Sequence, residues 1–276
     1  MAAAPFHMWA PDAYTAAPMP TVGFLSGAAK VAAAAALARL VTGPLSGAEL
    51  SGGLYGWTTT VFYVAIISTV LGNLVALAQK NVKRMLAWSS VAQAGYLLLA
   101  VAAIGLRSGD AATVRGLLTY GMAYAVAISG ALVALSAFER EGHELASFEE
   151  LNGLGRKRPG FAGLLSLFML TAAGLPPTLG FVAKLTLFGE LLGAGSRPTE
   201  PHATTLLVTT LAVGALVLSV AGAYYYLRVV YHLFFKAPRT PVEVRAEGST
   251  LLAVGLAAVL TLWMGLLPNR VTGWSE

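Results

Sequence analysis

Seven long apolar segments dominate this sequence, and they exclude most soluble folds. An α-helix needs about 20 residues, at 1.5 Å rise each, to cross roughly 30 Å of hydrocarbon. Both faces of each segment carry apolar or small residues, so none has the polar stripe of a surface helix. The segments cover approximately residues 21–42, 57–79, 85–106, 113–138, 161–192, 204–235 and 250–267. We therefore predict an all-α fold, a polytopic membrane helix bundle.

The distribution of charge supports this membrane assignment. Only 11% of the 276 residues are charged, whereas a soluble domain usually has about 25%. More than half of the Lys and Arg residues lie in loops 80–84, 139–160 and 236–249, which would all face one side of the membrane. This bias is typical of cytoplasmic loops and is no sign of nucleic-acid binding. The chain has no cysteine, so disulfides and thiol catalysis are excluded.

Lys30 is the clearest candidate for chemistry. It lies near the middle of segment 21–42, too far from either end for its side chain to reach water easily. A charged lysine at the centre of a spanning helix costs about 2.5–3.5 kcal/mol on insertion scales. Two interpretations are open: a proton-transfer group, which desolvation allows to lose its proton, or a structural ion pair inside the bundle. We favour proton transfer, because an unpaired lysine at this depth is costly.

Lys184 follows a stretch in which a helix must break. Pro176 and Pro177 remove two backbone donors and clash with the preceding turn. Broken helices inside membranes are tolerated where the freed backbone lines protein or a wet cavity, and they mark ion sites in transporters. We predict a discontinuous transmembrane helix over 161–192 and a proton-transfer role for Lys184. The alternative is a structural lysine beside a kink.

Polar residues near the start of the third segment are candidates for a path between the two lysines. They are Ser89, Ser90, Gln93 and Tyr96, and helical spacing places Ser89, Gln93 and Tyr96 on one face. Such groups hold water in line, and their alternative role is hydrogen bonding between helices. His7 is a further supporting candidate because histidine titrates between pH 5 and 8; capping a helix break is its alternative role. No metal-ligand cluster or phosphate-binding loop is visible, so we expect no cofactor and no metal in this chain.

The ends of the chain have structural interpretations. Residues 1–20 are typical of the end of a preceding broken helix and a connecting loop, with a Pro-rich break over Ala10–Pro20. Because a chain seldom begins inside an element, a fragment or a split gene is expected. Residues 21–276 form one predicted transmembrane proton-translocation domain. Tyr224–Tyr226, followed by Arg228, are typical of an aromatic belt with a snorkelling arginine.

Four motifs, in this order, resemble a known family of membrane subunits. They are PFHMWAPDAYTAAPMPT at 5–21, GNLVALAQKNVKRMLAWSS at 72–90, GLPPTLGFVAK at 174–184 and AYYYLR at 223–228. Together they are similar to the subunit N family of proton-pumping NADH:quinone oxidoreductase, respiratory complex I. The motifs are specific, and they spread over most of the chain.

The resemblance implies an antiporter-like subunit fold of about fourteen helices, of which this chain holds about seven, the C-terminal half. It implies that Lys30 and Lys184 match the central lysines of the family. Gln93 stands where many members have histidine, so a titrating relay there would be replaced by water. The part of the family fold that carries a buried glutamate and another lysine lies outside this sequence.

The same resemblance implies a translocase subunit, located in the cell inner (plasma) membrane, that performs no redox chemistry and binds no cofactor itself. Its partners would be the lipid bilayer and the other membrane subunits of complex I, and quinone and NADH would act only through those subunits. Two alternatives remain. One is a subunit of a cation/proton antiporter, and the other is a truncated remnant that does not pump.

Overall fold

The computed structural model describes residues 1–46, 56–106, 111–140, 143–195, 202–237, 243–244 and 248–267. The helices in these ranges are α1 (Trp9–Ala16), α2 (Met19–Ser26), α3 (Ala28–Thr42), α4 (Trp57–Ala78), α5 (Val82–Leu106), α6 (Ala111–Ser136), α7 (Leu154–Lys157), α8 (Pro159–Ala173), α9 (Leu179–Gly195), α10 (His202–Phe235) and α11 (Gly248–Leu266). The strands are β1 (Phe138–Arg140), β2 (His143–Glu144) and β3 (Glu243–Val244).

The predicted membrane helix bundle is confirmed. Within the described ranges, six helical spans are long and apolar enough to cross a membrane. The fifth predicted segment is broken, as the prolines indicate, and forms α8 and α9 on either side of the break. Within the residues that the structure describes, the exception to an all-α fold is a small antiparallel sheet with strand order β2-β1-β3. The protein is therefore a multi-pass membrane protein.

This sheet joins the basic loops at one end of the bundle. Strand β1 pairs with β2, from the same loop, and with β3, from the loop after α10. An isolated bridge between Asn81 and Ser147 attaches the loop between α4 and α5. The described parts of the three basic loops thus contact one another, and they lie on one side as the charge pattern predicts.

The first predicted span is not one continuous helix. It breaks at Gly27, where φ is −95° and ψ is −81°, and so divides into α2 and α3. A Cβ atom at Gly27 would lie 2.6 Å from the Ser129 hydroxyl and 3.1 Å from the Ala125 carbonyl oxygen. Only glycine allows the break to pack this closely against α6. Segment 21–42 is therefore a second discontinuous helix, whereas a continuous one was predicted.

The N-terminal prediction is wrong in one respect. Helix α1 occupies most of Ala10–Pro20, which was expected to be a break throughout. Pro11 lies in the first turn of this helix, where a backbone N–H has no partner within the helix, so proline is tolerated there. The actual break is confined to Ala17 and Pro18, between α1 and α2.

Helix α5 is the centre of the bundle. In its most apolar 18-residue stretch 94% of the residues are buried inside the protein, whereas the corresponding share for α11 is 17%. It contacts α1, α2, α3, α4, α6, α9 and α10. Val82 and Met85–Ala87 belong to one apolar cluster, and the residues at 94–104 belong largely to another. Ser89, Ser90 and Gln93 lie between the clusters and are buried. These polar side chains must find partners inside the bundle.

Candidate functional site

Lys30 lies just after the break at Gly27, near the middle of the 24-residue span Met19–Thr42. The residue is 3% exposed, and its amine donates hydrogen bonds to the hydroxyl and the backbone carbonyl of Ser90 on α5. The amine also lies 5.7 Å from the centre of the Tyr124 ring on α6, which attracts a cation. Among the described residues its partners are all uncharged, so the ion-pair interpretation has no support there.

Lys184 lies early in α9, and its side chain turns back towards the end of α8. Its amine donates a 2.7 Å hydrogen bond to the carbonyl oxygen of Ala173, the last residue of α8. Gly174 has a left-handed conformation, and its N–H bonds to the carbonyls of Leu170 and Thr171. The lysine therefore completes the cap of α8, whose C-terminal end carries partial negative charge. A protonated Lys184 is stabilised by backbone dipoles, and no carboxylate lies within ion-pair distance of it in the described part of the chain.

A small cavity lies between Lys184 and the central helix α5. Its volume of about 10 Å³ is near the minimum that holds one water molecule. The lining includes Gln93 from α5 together with Tyr120 and Tyr124 from α6. Lys184 therefore shares a water-sized space with polar groups of two other helices.

Gln93 belongs to a continuous chain of hydrogen bonds. The Tyr120 hydroxyl donates to the Gln93 carbonyl oxygen. The Gln93 amide donates to the Tyr226 hydroxyl at 3.3 Å, and Tyr226 donates to Ser89 at 3.0 Å. Ser89 donates to the Leu86 carbonyl at 3.0 Å, and this is the last hydrogen bond of the series. Each hydroxyl in this series already donates a hydrogen bond, so a proton can pass along it only if these hydrogen bonds reorient.

Tyr96 makes its hydrogen bonds with other partners. Its hydroxyl accepts a 3.0 Å hydrogen bond from the Asn73 amide on α4, and Tyr225 donates to the Asn73 carbonyl oxygen at 3.0 Å. The Tyr96 ring also packs edge-on against Tyr120 and Phe188. The contacts made by Tyr96 are those expected of helix–helix hydrogen bonding, the alternative left open for it.

The structure therefore divides the predicted residues into groups. Ser90 contacts Lys30 directly, and Gln93 shares the cavity of Lys184. His7 stands apart from both: it lies before α1, its ring is 5.4 Å from that of Trp88, and its buried Nδ1 has no hydrogen-bond partner within the described ranges. The contact with Trp88 joins His7 to neither lysine.

The positions of Tyr120, Tyr124, Tyr225 and Tyr226 around this site were not predicted from the sequence. Tyr225 and Tyr226, predicted to lie in an aromatic belt, are each 1% exposed, whereas Tyr224 is 62% exposed and fits that prediction. Tyr120 and Tyr124 on α6 were not considered, although their i, i+4 spacing in an apolar segment places two hydroxyls on one helix face. Buried tyrosine hydroxyls usually need partners, and that was the available signal.

Arg228 also differs from its prediction. Its guanidinium donates to the Gln79 carbonyl oxygen at 3.0 Å and lies 4.1 Å from the centre of the Phe148 ring. The side chain therefore binds the end of α4 and the loop before α7, and does not simply extend towards the membrane surface. These contacts fix the end of α10 against the extramembrane loops.

Comparisons with known proteins agree with this architecture. A family model described as NADH:quinone oxidoreductase/Mrp antiporter, TM, matches residues 1–199. NADH-quinone oxidoreductase subunit N 1 of Sorangium cellulosum is 39% identical over 276 residues, which are 99% of this chain and 52% of the relative. Subunit N of Heliobacterium modesticaldum is 39% identical over 98% of this chain and 52% of its own length.

A solved structure is also similar. One chain of respiratory complex I from Thermus thermophilus superposes with a TM-score of 0.77 at 34% identity, covering 99% of this chain and 55% of that one. The chain thus spans about half the length of the curated relatives it matches.

Proposed function

Because the chain belongs to the NADH:quinone oxidoreductase/Mrp antiporter family of transmembrane proteins, we propose that it is a proton-translocating membrane subunit of an NADH:quinone oxidoreductase. It works in the cell inner membrane beside other membrane subunits of that complex. Quinone reduction and NADH oxidation take place in those partners, and this chain binds no redox cofactor. Residues 21–276 form the proton-translocation domain.

One observation carries the proposal: two lysine amines are held beside helix breaks without an ionised partner among the described residues. Lys30 follows the break at Gly27, and Lys184 closes the break between α8 and α9. Buried ionisable groups in membrane spans are costly to keep, and they mark proton and ion pathways. Broken helices provide the exposed backbone that such pathways use.

The two amines suit proton transfer because each can gain and lose a proton against neutral partners. Protonated Lys184 is stabilised by the carbonyl at the end of α8, and its side chain also lines the small cavity. Protonated Lys30 is held by Ser90 and the Tyr124 ring. Charging one lysine raises the free energy of charging the other, so a charge arriving at one side pushes a proton onward.

The test uses the intact membrane complex that contains this chain, purified and reconstituted in vesicles with NADH and a quinone. Lys30→Met removes the titratable amine and keeps a side chain of similar length. The expected result is a loss of proton uptake into the vesicles, with the complex still assembled. Wild-type proton transport per electron in the Lys30→Met complex would rule the proposal out.

The second candidate is a subunit of a cation/proton antiporter, which the family description includes. The identity of 36–39% to several subunits named NADH-quinone oxidoreductase subunit N favours the first function. Vesicles without NADH distinguish the two. Proton release driven by an imposed sodium gradient alone would favour the antiporter.

A further inference from the structure

Tyr124 carries a buried hydroxyl, and its ring faces the Lys30 amine. It lies on α6 and is 4% exposed. Its hydroxyl makes no hydrogen bond of normal geometry with any described residue, and Ser90 is the polar side chain next to it. Leaving a buried hydroxyl unsatisfied costs free energy, so its retention here calls for a partner or a function.

The position of Tyr124 connects two features that are otherwise separate. On one side, its ring faces the Lys30 amine at 5.7 Å, and Ser90 binds that same amine. On the other side, Tyr124 lines the water-sized cavity together with Lys184. Tyr124 thus belongs to the surroundings of both lysines.

Gln93, the residue expected to connect them, is less suitable. Its carbonyl oxygen accepts from Tyr120, and its amide donates to Tyr226. Passing a proton along this route requires those bonds to break and reform. The Tyr124 hydroxyl has both a hydrogen to donate and an oxygen to accept, and no bond in the described structure must first be broken.

We propose that Tyr124 is the relay residue between Lys30 and Lys184, acting with Ser90 and one water molecule bound in the cavity. An N–H bond of protonated Lys30 breaks as its proton joins the Ser90 oxygen, and the Ser90 hydrogen moves to Tyr124. The Tyr124 hydrogen passes to the water, and a hydrogen of the water forms the new N–H bond on neutral Lys184. One proton has moved, each oxygen ends neutral, and reorientation of the hydroxyls and water resets the path.

The inference rests on the proposed function, so its test separates the two. Tyr124→Phe removes one oxygen and keeps the ring beneath Lys30. The matched control is Tyr224→Phe, at a tyrosine that is 62% exposed on the outside of the bundle. Both are compared with Lys184→Met in the reconstituted complex, and the rate of proton transport and the protons moved per electron are measured.

We expect Tyr124→Phe to slow proton transport roughly tenfold, since it removes one hydrogen-bonding link, and Tyr224→Phe to match the wild type. If Lys184→Met abolishes transport but Tyr124→Phe does not slow it, the relay role is wrong and the proposed function stands. If neither variant changes transport, both fail. A comparable slowing by Tyr224→Phe would show a general effect and would also overturn the role of Tyr124.

A second measurement does not depend on activity. A cryo-EM map of the unaltered complex, at a resolution that shows ordered water, should contain one water within hydrogen-bond distance of the Tyr124 hydroxyl and the Lys184 amine. The same position should be empty or shifted in the Tyr124→Phe complex. A dry cavity in the unaltered complex would overturn the proposal.

Discussion

A Cβ atom on Gly174 would lie 2.5 Å from Lys184 Cδ and 3.1 Å from its amine nitrogen, so the break and the lysine share one space. Gly174 also has φ of 80°, a conformation that residues with a side chain rarely adopt. Gly174→Ala should therefore lower stability by about 1–2 kcal/mol and displace the Lys184 amine from Ala173. Thermal unfolding of the complex and proton transport measure the two effects.

Gly189→Ala is the matched control for this change. Gly189 lies on the same helix as Lys184, and an added Cβ would meet nothing within 4 Å. The substitution should leave both stability and transport close to wild type, since alanine is a better helix former than glycine. Equal losses in the two variants would contradict the close fit between Gly174 and Lys184.

Lys30→Arg separates proton transfer from a fixed positive charge. Arginine keeps the charge but is not deprotonated in proteins. We expect proton transport to fall by on the order of 100-fold or more, as is usual when a proton-transfer group is lost. The rate is measured in vesicles, with assembly checked in parallel. An arginine variant that transports protons as fast as the wild type would show that only the charge matters.

The ion pair between Lys83 and Glu144 fastens the break between α1 and α2. The Lys83 amine lies 2.9 Å from the Glu144 carboxylate and donates to the Ala17 carbonyl at 2.8 Å, while the Met19 N–H donates to Glu144 at 2.9 Å. Lys83 is 5% exposed. Glu144→Gln should therefore destabilise the protein by about 1.5–3 kcal/mol, measured as a lower unfolding temperature.

The double variant provides the check on this pair. Replacing Lys83 by Met together with Glu144→Gln removes the uncompensated buried charge, so it should be less destabilised than the sum of the single changes. Strictly additive losses would mean that the two side chains do not interact in solution.

Tyr226→Phe tests the hydrogen-bond chain around Gln93. The change removes the donor to Ser89 and the acceptor of the Gln93 amide, at a residue that is 1% exposed. A loss of stability of about 1–3 kcal/mol is expected, because buried groups are left without partners. Tyr224→Phe, at an exposed position, should leave stability almost unchanged. A similar loss of stability there would contradict the stabilising role of the hydrogen bonds around Gln93.

The sequence was sufficient to predict the spans, the broken helix at Pro176–Pro177 and the burial of Lys30. The length of an apolar segment and the pair Pro176–Pro177 are both visible in the local sequence. A lone lysine such as Lys30 stands out because a charged side chain deep in the membrane is unfavourable in free energy. The break at Gly27 could not be predicted this way. It depends on close packing against Ser129, more than 100 residues away, and no proline marks it.

Local sequence patterns also could not predict the hydrogen-bond partners of the site residues. The hydrogen bonds of Ser89 and Gln93 to Tyr226 join positions separated by 137 and 133 residues. Tyr224 and Tyr225 are neighbours in sequence, yet one is exposed and the other buried. The packing of α10 against α4 and α5 decides which of these tyrosine hydroxyls faces the polar residues inside the bundle.

Proton transport per electron in the assembled complex carrying Lys184→Met tests the central claim most directly. Methionine cannot be protonated, so the bond to the Ala173 carbonyl and the exchange with the cavity are both lost. The account predicts an assembled complex that moves fewer protons for each NADH oxidised. Wild-type electron transfer together with wild-type proton transport would contradict it.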